Sequence, residues 1–151
     1  MDPEKKQKRY KRLYDQAADL LTGKEYPVAR MATIAALLHH KMEYFFWTGF
    51  YLLVKDELIV GPYQGPVACI LLERNKGVCW AGINNGETIV VPDVHDFPGH
   101  IACDSRSRSE IVVPLRNDDS EIFGVLDVDS KDMASFDEID ARWLEKIVEL
   151  I

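Results

Sequence analysis

No stretch of the 151-residue chain approaches the roughly 20 apolar residues that a membrane-spanning helix needs. It also contains no internal repeat and no low-complexity tract. A membrane-spanning helix and a repeat array are thereby excluded. The N-terminal Met-Asp-Pro-Glu-Lys-Lys has no apolar run of signal-peptide length, so a cytoplasmic location is expected. Positive charge is in deficit, with 18 Lys and Arg against 25 Asp and Glu and a formal net charge of −7. Such a surface repels a phosphate backbone, and nucleic acid is not an expected partner. The basic run from Lys5 to Arg12 reads as a solvated helix face.

Metal-ligating residues are scarce, with three cysteines and four histidines. There is no Cys-x-x-Cys pair and no His-x-x-x-His on a clear helix. A zinc site joining His95, His100 and Cys103 to Cys69 or Cys79 therefore lacks the usual spacing, and no metal is expected. In a reducing compartment three cysteines do not make a permanent disulfide framework, and the odd count leaves at least one thiol free.

What is present is ordinary in amount: 47% hydrophobic and 28% charged residues match a soluble globule. The length predicts one domain spanning residues 1–151. Tyr10, Leu13, Tyr14, Ala17, Ala18, Leu20 and Leu21 recur at helical intervals, predicting a helix from Asp2 to about Leu21 with Gly23 as its stop. A second helix follows Pro27 and runs to about Met42. The aromatic and β-branched run Phe45 to Val54 predicts a strand, and Lys55-Asp56-Glu57 a hairpin turn into Leu58-Ile59-Val60. A third strand is expected over Pro66 to Leu72, a short helix over Gly77 to Asn84, and a fourth strand over Thr88 to Val91.

About sixteen residues rich in Pro, Gly, Asp, His and Ser then intervene, a loop length that marks function or disorder. Strands from Glu110 to Leu115 and from Ile122 to Val128 pair across the Arg116 to Ser120 turn. A final helix begins near Phe136, with Ser135 as N-cap and Ile139, Trp143, Ile147 and Leu150 on its apolar stripe. Hairpins flanked by helices predict an α+β domain with a central antiparallel sheet of about six strands and helices mainly on one side.

Three groups of residues carry chemistry. Cys103 sits in the long loop Asp96-Phe-Pro-Gly-His-Ile-Ala-Cys-Asp104, where Pro98 and Gly99 allow a sulfur to be presented to a ligand. Asp104 raises a thiol pKa while Arg106, Arg108 and His100 lower it, so the sign of the shift stays open. In the strand Gly124-Val-Leu-Asp-Val-Asp-Ser130, the period of two puts Asp127 and Asp129 on one face with Val125. If that face is partly buried, desolvation and mutual repulsion raise the pKa of one of them and make it a proton donor near neutral pH. Glu110 shares one face of its own strand with Val112 and Pro114, either joining the aspartates or standing as an exposed strand-end acid. Trp47 and Tyr51 share one face, as do Phe45 and Gly49, either as core or as a ligand wall. His39 and His40 are expected as a helix-end cap and a partly buried polar residue.

Taken together, Trp47-x-Gly-Phe-Tyr-Leu-Leu, Gly61-Pro-Tyr-Gln-Gly-Pro-Val-Ala-Cys69, Gly77-Val-Cys79, the loop from Val94 to Asp104, Ser109-Glu-Ile-Val-Val-Pro-Leu115 and Gly124 to Ser130 resemble the free methionine-(R)-sulfoxide reductases, a catalytic branch of the GAF domains. The resemblance runs in matching order from the second helix to the final helix. It implies a GAF-like fold and reduction of free L-methionine-(R)-sulfoxide with no metal and no organic cofactor. Cys103 is then the nucleophile that becomes a sulfenic acid. Glu110 and Asp129 protonate the sulfoxide oxygen, with Asp127 supporting them and helping to hold the substrate.

On the same resemblance Trp47 and Tyr51 pack against the substrate, and the backbone at Ile101 and Ala102 positions the amino acid. Cys69 is implied to resolve the sulfenic acid as a transient disulfide, with Cys79 as second candidate or relay and thioredoxin as reductant. Around Cys79 the chain departs from the family pattern, with Asn75 and Lys76 before the Gly-Val-Cys segment and Trp80 after it. A homodimer through terminal helices is common among GAF-like proteins. The alternatives are a non-catalytic GAF sensor of small ligands and a cysteine-based redox-sensing domain.

Overall fold

The Asp2 carboxylate accepts from the Lys5 backbone N–H at 3.0 Å and Pro3 occupies the first turn, so the first helix, α1 (Pro3–Leu20), starts where the sequence places it. This computed structural model describes residues 1–22, 26–100 and 104–151. The expected stop at Gly23 lies outside them. The second helix, α2, spans Pro27–Lys41 and buries Met31, Ile34, Ala35 and Leu38.

Strands β1 (Trp47–Val54) and β2 (Glu57–Gln64) form the predicted hairpin, with Lys55 and Asp56 at positive φ in the turn. The expected third strand shrinks to β3 (Leu71–Leu72), because residues 66–69 leave the ladder and Ile70 keeps one bond, from the Val60 N–H to its carbonyl at 2.9 Å. Helix α3 (Gly77–Asn85) ends on Gly86 at φ +66°, a left-handed cap that glycine takes without strain. β4 (Ile89–Val91) leads to the long loop, which makes a 3-10 turn over Val94–Asp96. β5 (Ser109–Arg116) and β6 (Ile122–Ser130) are each slightly longer than predicted.

The last helix, α4 (Glu138–Val148), begins later than expected. Asp137, not Ser135, is its N-cap, and it forms a reciprocal capping box with Asp140. Ser135 instead donates to Ser130 Oγ at 2.7 Å. None of the helices among the described residues is long and apolar enough to cross a membrane.

The sheet is antiparallel throughout, in the order β3-β2-β1-β6-β5-β4. One face carries Phe50, Ile111, Val113, Leu115, Leu126 and Val128 and packs against α1, α2 and α4. The other carries Trp47, Tyr51, Val112 and Val125 and is covered by α3 with its Val78, Cys79 and Trp80. Helices thus lie mainly on one side, as the α+β reading requires. Phe45 precedes β1 and packs in the first core, so it does not share the face of Trp47 and Tyr51 as the strand period had suggested.

Within the basic run, Lys6 is the exception to the solvated reading. Its ammonium is buried, donating to Asp140 at 2.7 Å and Asp137 at 3.0 Å, and Tyr10 donates to the other Asp140 oxygen at 2.7 Å. The pair ties α1 to α4 behind the sheet. His39 reaches Thr48 Oγ1 at 3.1 Å, which makes it the partly buried polar residue expected there.

Candidate active site

Strand register sets the site. Trp47 on β1 is directly opposite Asp129 on β6, and Asp129 is opposite Glu110 on β5. One step along the same face, Gly49 is opposite Asp127, and Asp127 opposite Val112. Because side chains alternate faces, Trp47, Tyr51, Glu110, Asp127 and Asp129 all stand on the face away from α1, α2 and α4. They line a cavity of about 630 Å³ including its open mouth, in the range of small-ligand clefts.

The aromatic wall depends on a missing side chain. Trp47 lies over Gly49, where an added Cβ would sit 2.7 Å from the indole Cη2 and overlap Tyr63 Cβ. The indole is stacked between Tyr51 and Tyr63, at centroid distances of 5.8 and 5.1 Å. Its Nε1 donates to the Pro66 carbonyl at 3.0 Å, and the Tyr51 hydroxyl donates to the Cys69 carbonyl at 3.1 Å. Both aromatic residues therefore anchor the irregular segment 66–70 over the cavity, which Pro66, Val67 and Ala68 line. Burial, followed by the charges of Asp127, Cys79, Asp129 and Glu110, pushes the Tyr51 hydroxyl far up, so it stays protonated as a donor.

The acids form the opposite wall. Glu110 and Asp127 are each only 5% exposed, and Asp129 keeps part of its surface toward the cavity. Burial raises Glu110 well above the usual carboxylate range, and the charges of Asp127 and Asp129 add to it. Asp129 is likewise pushed well up, by burial and then by Asp127 and Asp104. Burial raises Asp127 too, but hydrogen bonding to Glu110 and Cys79 draws it back. Asp127 is thus raised least of the three and takes negative charge most readily, while Glu110 and Asp129 are biased toward their protonated forms.

Cys79 is a free thiol on α3, buried at 5% exposure. Its pKa is pushed well up by burial, then by Asp127, Glu110 and Asp129, which keeps it a thiol rather than a thiolate. Gly82, one turn further along α3, lets the helix approach β5: a Cβ there would lie 2.8 Å from Val112 Cγ1.

Ile101, Ala102 and Cys103 lie outside the described residues. The residues on either side of them, His100 and Asp104, both line the cavity, with Ser107 and Phe46 beside them. Asp104 is held by the Arg106 guanidinium through two hydrogen bonds, of 3.0 and 2.7 Å, which lower its pKa to about 2. Arg106 and Lys131 both stack on Phe46, at 4.9 and 4.6 Å from the ring centre, forming a cationic rim.

Of the residues singled out from the sequence, Trp47, Tyr51, Cys79, Glu110, Asp127 and Asp129 converge on one cavity, and the segment carrying Cys69 borders it. His95 is paired with Asp93 at 3.1 Å instead. Sequence reasoning missed Phe46 and the approach of Cys79 to the acids. Phe46 carried a signal, being an aromatic beside Trp47. The position of Cys79 carried none, because it depends on how α3 docks.

The GAF domain family matches residues 31–151 of the chain. The chain is 46% identical over 147 residues to GAF domain-containing protein A of Dictyostelium discoideum, covering 97% of this chain and 92% of that protein. It is 40% identical over 131 residues to the free methionine-R-sulfoxide reductase of Escherichia coli, covering 85% of this chain and 78% of that enzyme. Among solved structures, the free methionine-R-sulfoxide reductase from Neisseria meningitidis in complex with its substrate superposes with a TM-score of 0.88 at 43% identity, covering 93% of this chain and 84% of that one.

Proposed function

The chain belongs to the GAF domain family, in the branch of the free methionine-R-sulfoxide reductases, and on that premise we propose that it reduces free methionine-(R)-sulfoxide through Cys103. The observation that carries this reading is the pair of carboxyls, Glu110 and Asp129, whose pKa values burial raises and which stand in register with Trp47 in a cavity that both His100 and Asp104 line.

In the proposed reaction the Cys103 thiolate attacks the sulfoxide sulfur while Glu110 and Asp129 donate to its oxygen. Sulfoxide oxygen cannot leave as a free oxide, so protonation is what makes it transferable. The oxygen ends on Cys103 as a sulfenic acid, and methionine departs reduced. The buried charge on Asp127 stays inside the cluster, holding Glu110 protonated and assisting in holding the substrate. Trp47 and Tyr51 offer the substrate's methyl and methylene groups an apolar surface. Backbone amides at Ile101 and Ala102 position the amino-acid end.

Cys69 then attacks the sulfenic acid, water leaves, and a disulfide remains. Thioredoxin, in a reducing cytoplasm, returns both sulfurs to thiols by exchange. Cys79 is a weaker candidate for this step, because its thiol is buried and held protonated by the acids. Tyr51 bonds the Cys69 carbonyl and so links the substrate wall to the segment carrying that cysteine.

The test is thioredoxin-coupled consumption of free L-methionine-(R)-sulfoxide by wild type, Cys103→Ser and Cys69→Ser. Turnover in wild type, with none in Cys103→Ser, is expected. Undiminished turnover in Cys103→Ser, or none in wild type, removes the reading.

A further inference from the structure

Cys79 on α3, Glu110 on β5 and Asp127 on β6 bring one sulfur and two carboxylate oxygens to within 4.8 Å of one another. We propose that these three side chains form a binding site for a zinc ion, which blocks the pocket when no sulfoxide occupies it. The blocking clause rests on the reductase reading, whereas the binding itself does not.

Distance is the first argument. Zinc–sulfur and zinc–oxygen bonds of about 2.3 and 2.1 Å place tetrahedral ligands roughly 3.6 Å apart. Contraction from 4.8 Å is then about one ångström, within reach of small side-chain rotations. A second, independent observation points to a cation. Asp127 Oδ1 is buried and has no hydrogen-bond partner among the described residues. A carboxylate oxygen stripped of water without a partner is costly, and a cation beside it removes that cost.

The donor set selects the metal. A thiolate with two carboxylates is too soft for magnesium or calcium, which take oxygen alone, and suits zinc. Three protein ligands leave a fourth position facing the cavity, where water completes the tetrahedron and the ion stays exchangeable. On binding, the Cys79 thiol proton and the Glu110 carboxyl proton pass to solvent, and no electron moves. Two protons leave as one doubly charged ion enters, so the buried net charge is unchanged. A bound ion occupies Glu110, one of the two proposed proton donors, so zinc and sulfoxide exclude one another.

The test is cobalt(II) titration of the full chain, reduced with a thiol-free phosphine. A thiolate-to-cobalt absorption band is expected to saturate mole for mole and to disappear when zinc is added. It should be lost in Cys79→Ser and kept in Cys69→Ser. Calorimetry should show Asp127→Asn, which is isosteric, weakening zinc by about tenfold or more. Methionine sulfoxide should raise the apparent zinc dissociation constant of the wild type.

No saturable band in wild type, a band that survives Cys79→Ser, or unchanged zinc affinity in Asp127→Asn overturns the proposal. Should Cys79→Ser fail to fold by circular dichroism, Asp127→Asn decides. Zinc binding by a protein that does not reduce the sulfoxide would remove the reductase reading and leave the metal site, and reduction without zinc binding would do the reverse.

Discussion

Replacing Glu110 by glutamine tests the electrostatics of the pocket without changing its shape. The amide keeps an N–H donor directed at Asp127 but cannot ionise. In the unfolded chain a glutamate loses its proton near pH 4.3, whereas in the folded protein burial and the charges of Asp127 and Asp129 hold the proton on Glu110 well above that pH. Folding therefore takes up a proton at Glu110 over this window, and wild-type stability falls as pH rises. Each such carboxyl contributes a slope of about 1.4 kcal/mol per pH unit until the folded state itself ionises.

Above pH 5 the Glu110→Gln variant should thus gain on the wild type by about 1.4 kcal/mol per pH unit until Glu110 ionises in the folded protein as well. Asp129 keeps its own slope in both proteins. Urea unfolding of reduced protein at several pH values measures this directly, and the difference exceeds the usual extrapolation error. Parallel stability profiles for the two proteins would show that Glu110 is ionised in the folded state, and the proton-donor argument would fail with it. Turnover should move the opposite way, falling by about 10²- to 10⁴-fold with loss of the acid.

Three further outcomes follow from the same geometry. Asp129→Asn should lower turnover at least about a hundredfold while thermal stability holds or rises, since a protonated carboxyl is replaced by a neutral amide; a stability loss with unchanged turnover would make Asp129 structural. Gly49→Ala drives a methyl into Trp47 and Tyr63 and should cost about 1–3 kcal/mol together with a raised KM, read by denaturation and steady-state kinetics. Lys6→Met leaves Asp140 buried without its cation and should cost about 3–5 kcal/mol, with kcat per folded molecule unchanged because the pair lies behind the sheet.

Much of this site was legible in one dimension because a strand's period of two is strict. Asp127 and Asp129 had to share a face, and two acids in so apolar a strand needed a reason that the register with Trp47 and Glu110 supplies. Trp47 and Tyr51 were readable by the same rule, but the rule failed for Phe45, which precedes the first ladder bond and turns toward the other core.

Other features were hidden for physical reasons. Leu71 and Leu72 pair while residues 66–69 do not, because that segment is held over the cavity by Trp47 and Tyr51, contacts that no local pattern encodes. Ser135 was the expected cap, but the reciprocal bond with Asp140 decides for Asp137. Lys6 sits among exposed basic residues, and its partners 131 and 134 positions away explain its burial. Cys79 meets the acids because Gly82 lets α3 close on Val112.

The most direct measurement is a single turnover without any external reductant. Fully reduced protein is mixed with free methionine-(R)-sulfoxide, and methionine is counted against protein. A stoichiometric burst is predicted from wild type and from Lys6→Met, a slowed burst from Asp129→Asn, and none from Cys103→Ser. A burst that survives in Cys103→Ser, or that runs at the wild-type rate in Asp129→Asn, would contradict the account of a thiolate served by protonated acids.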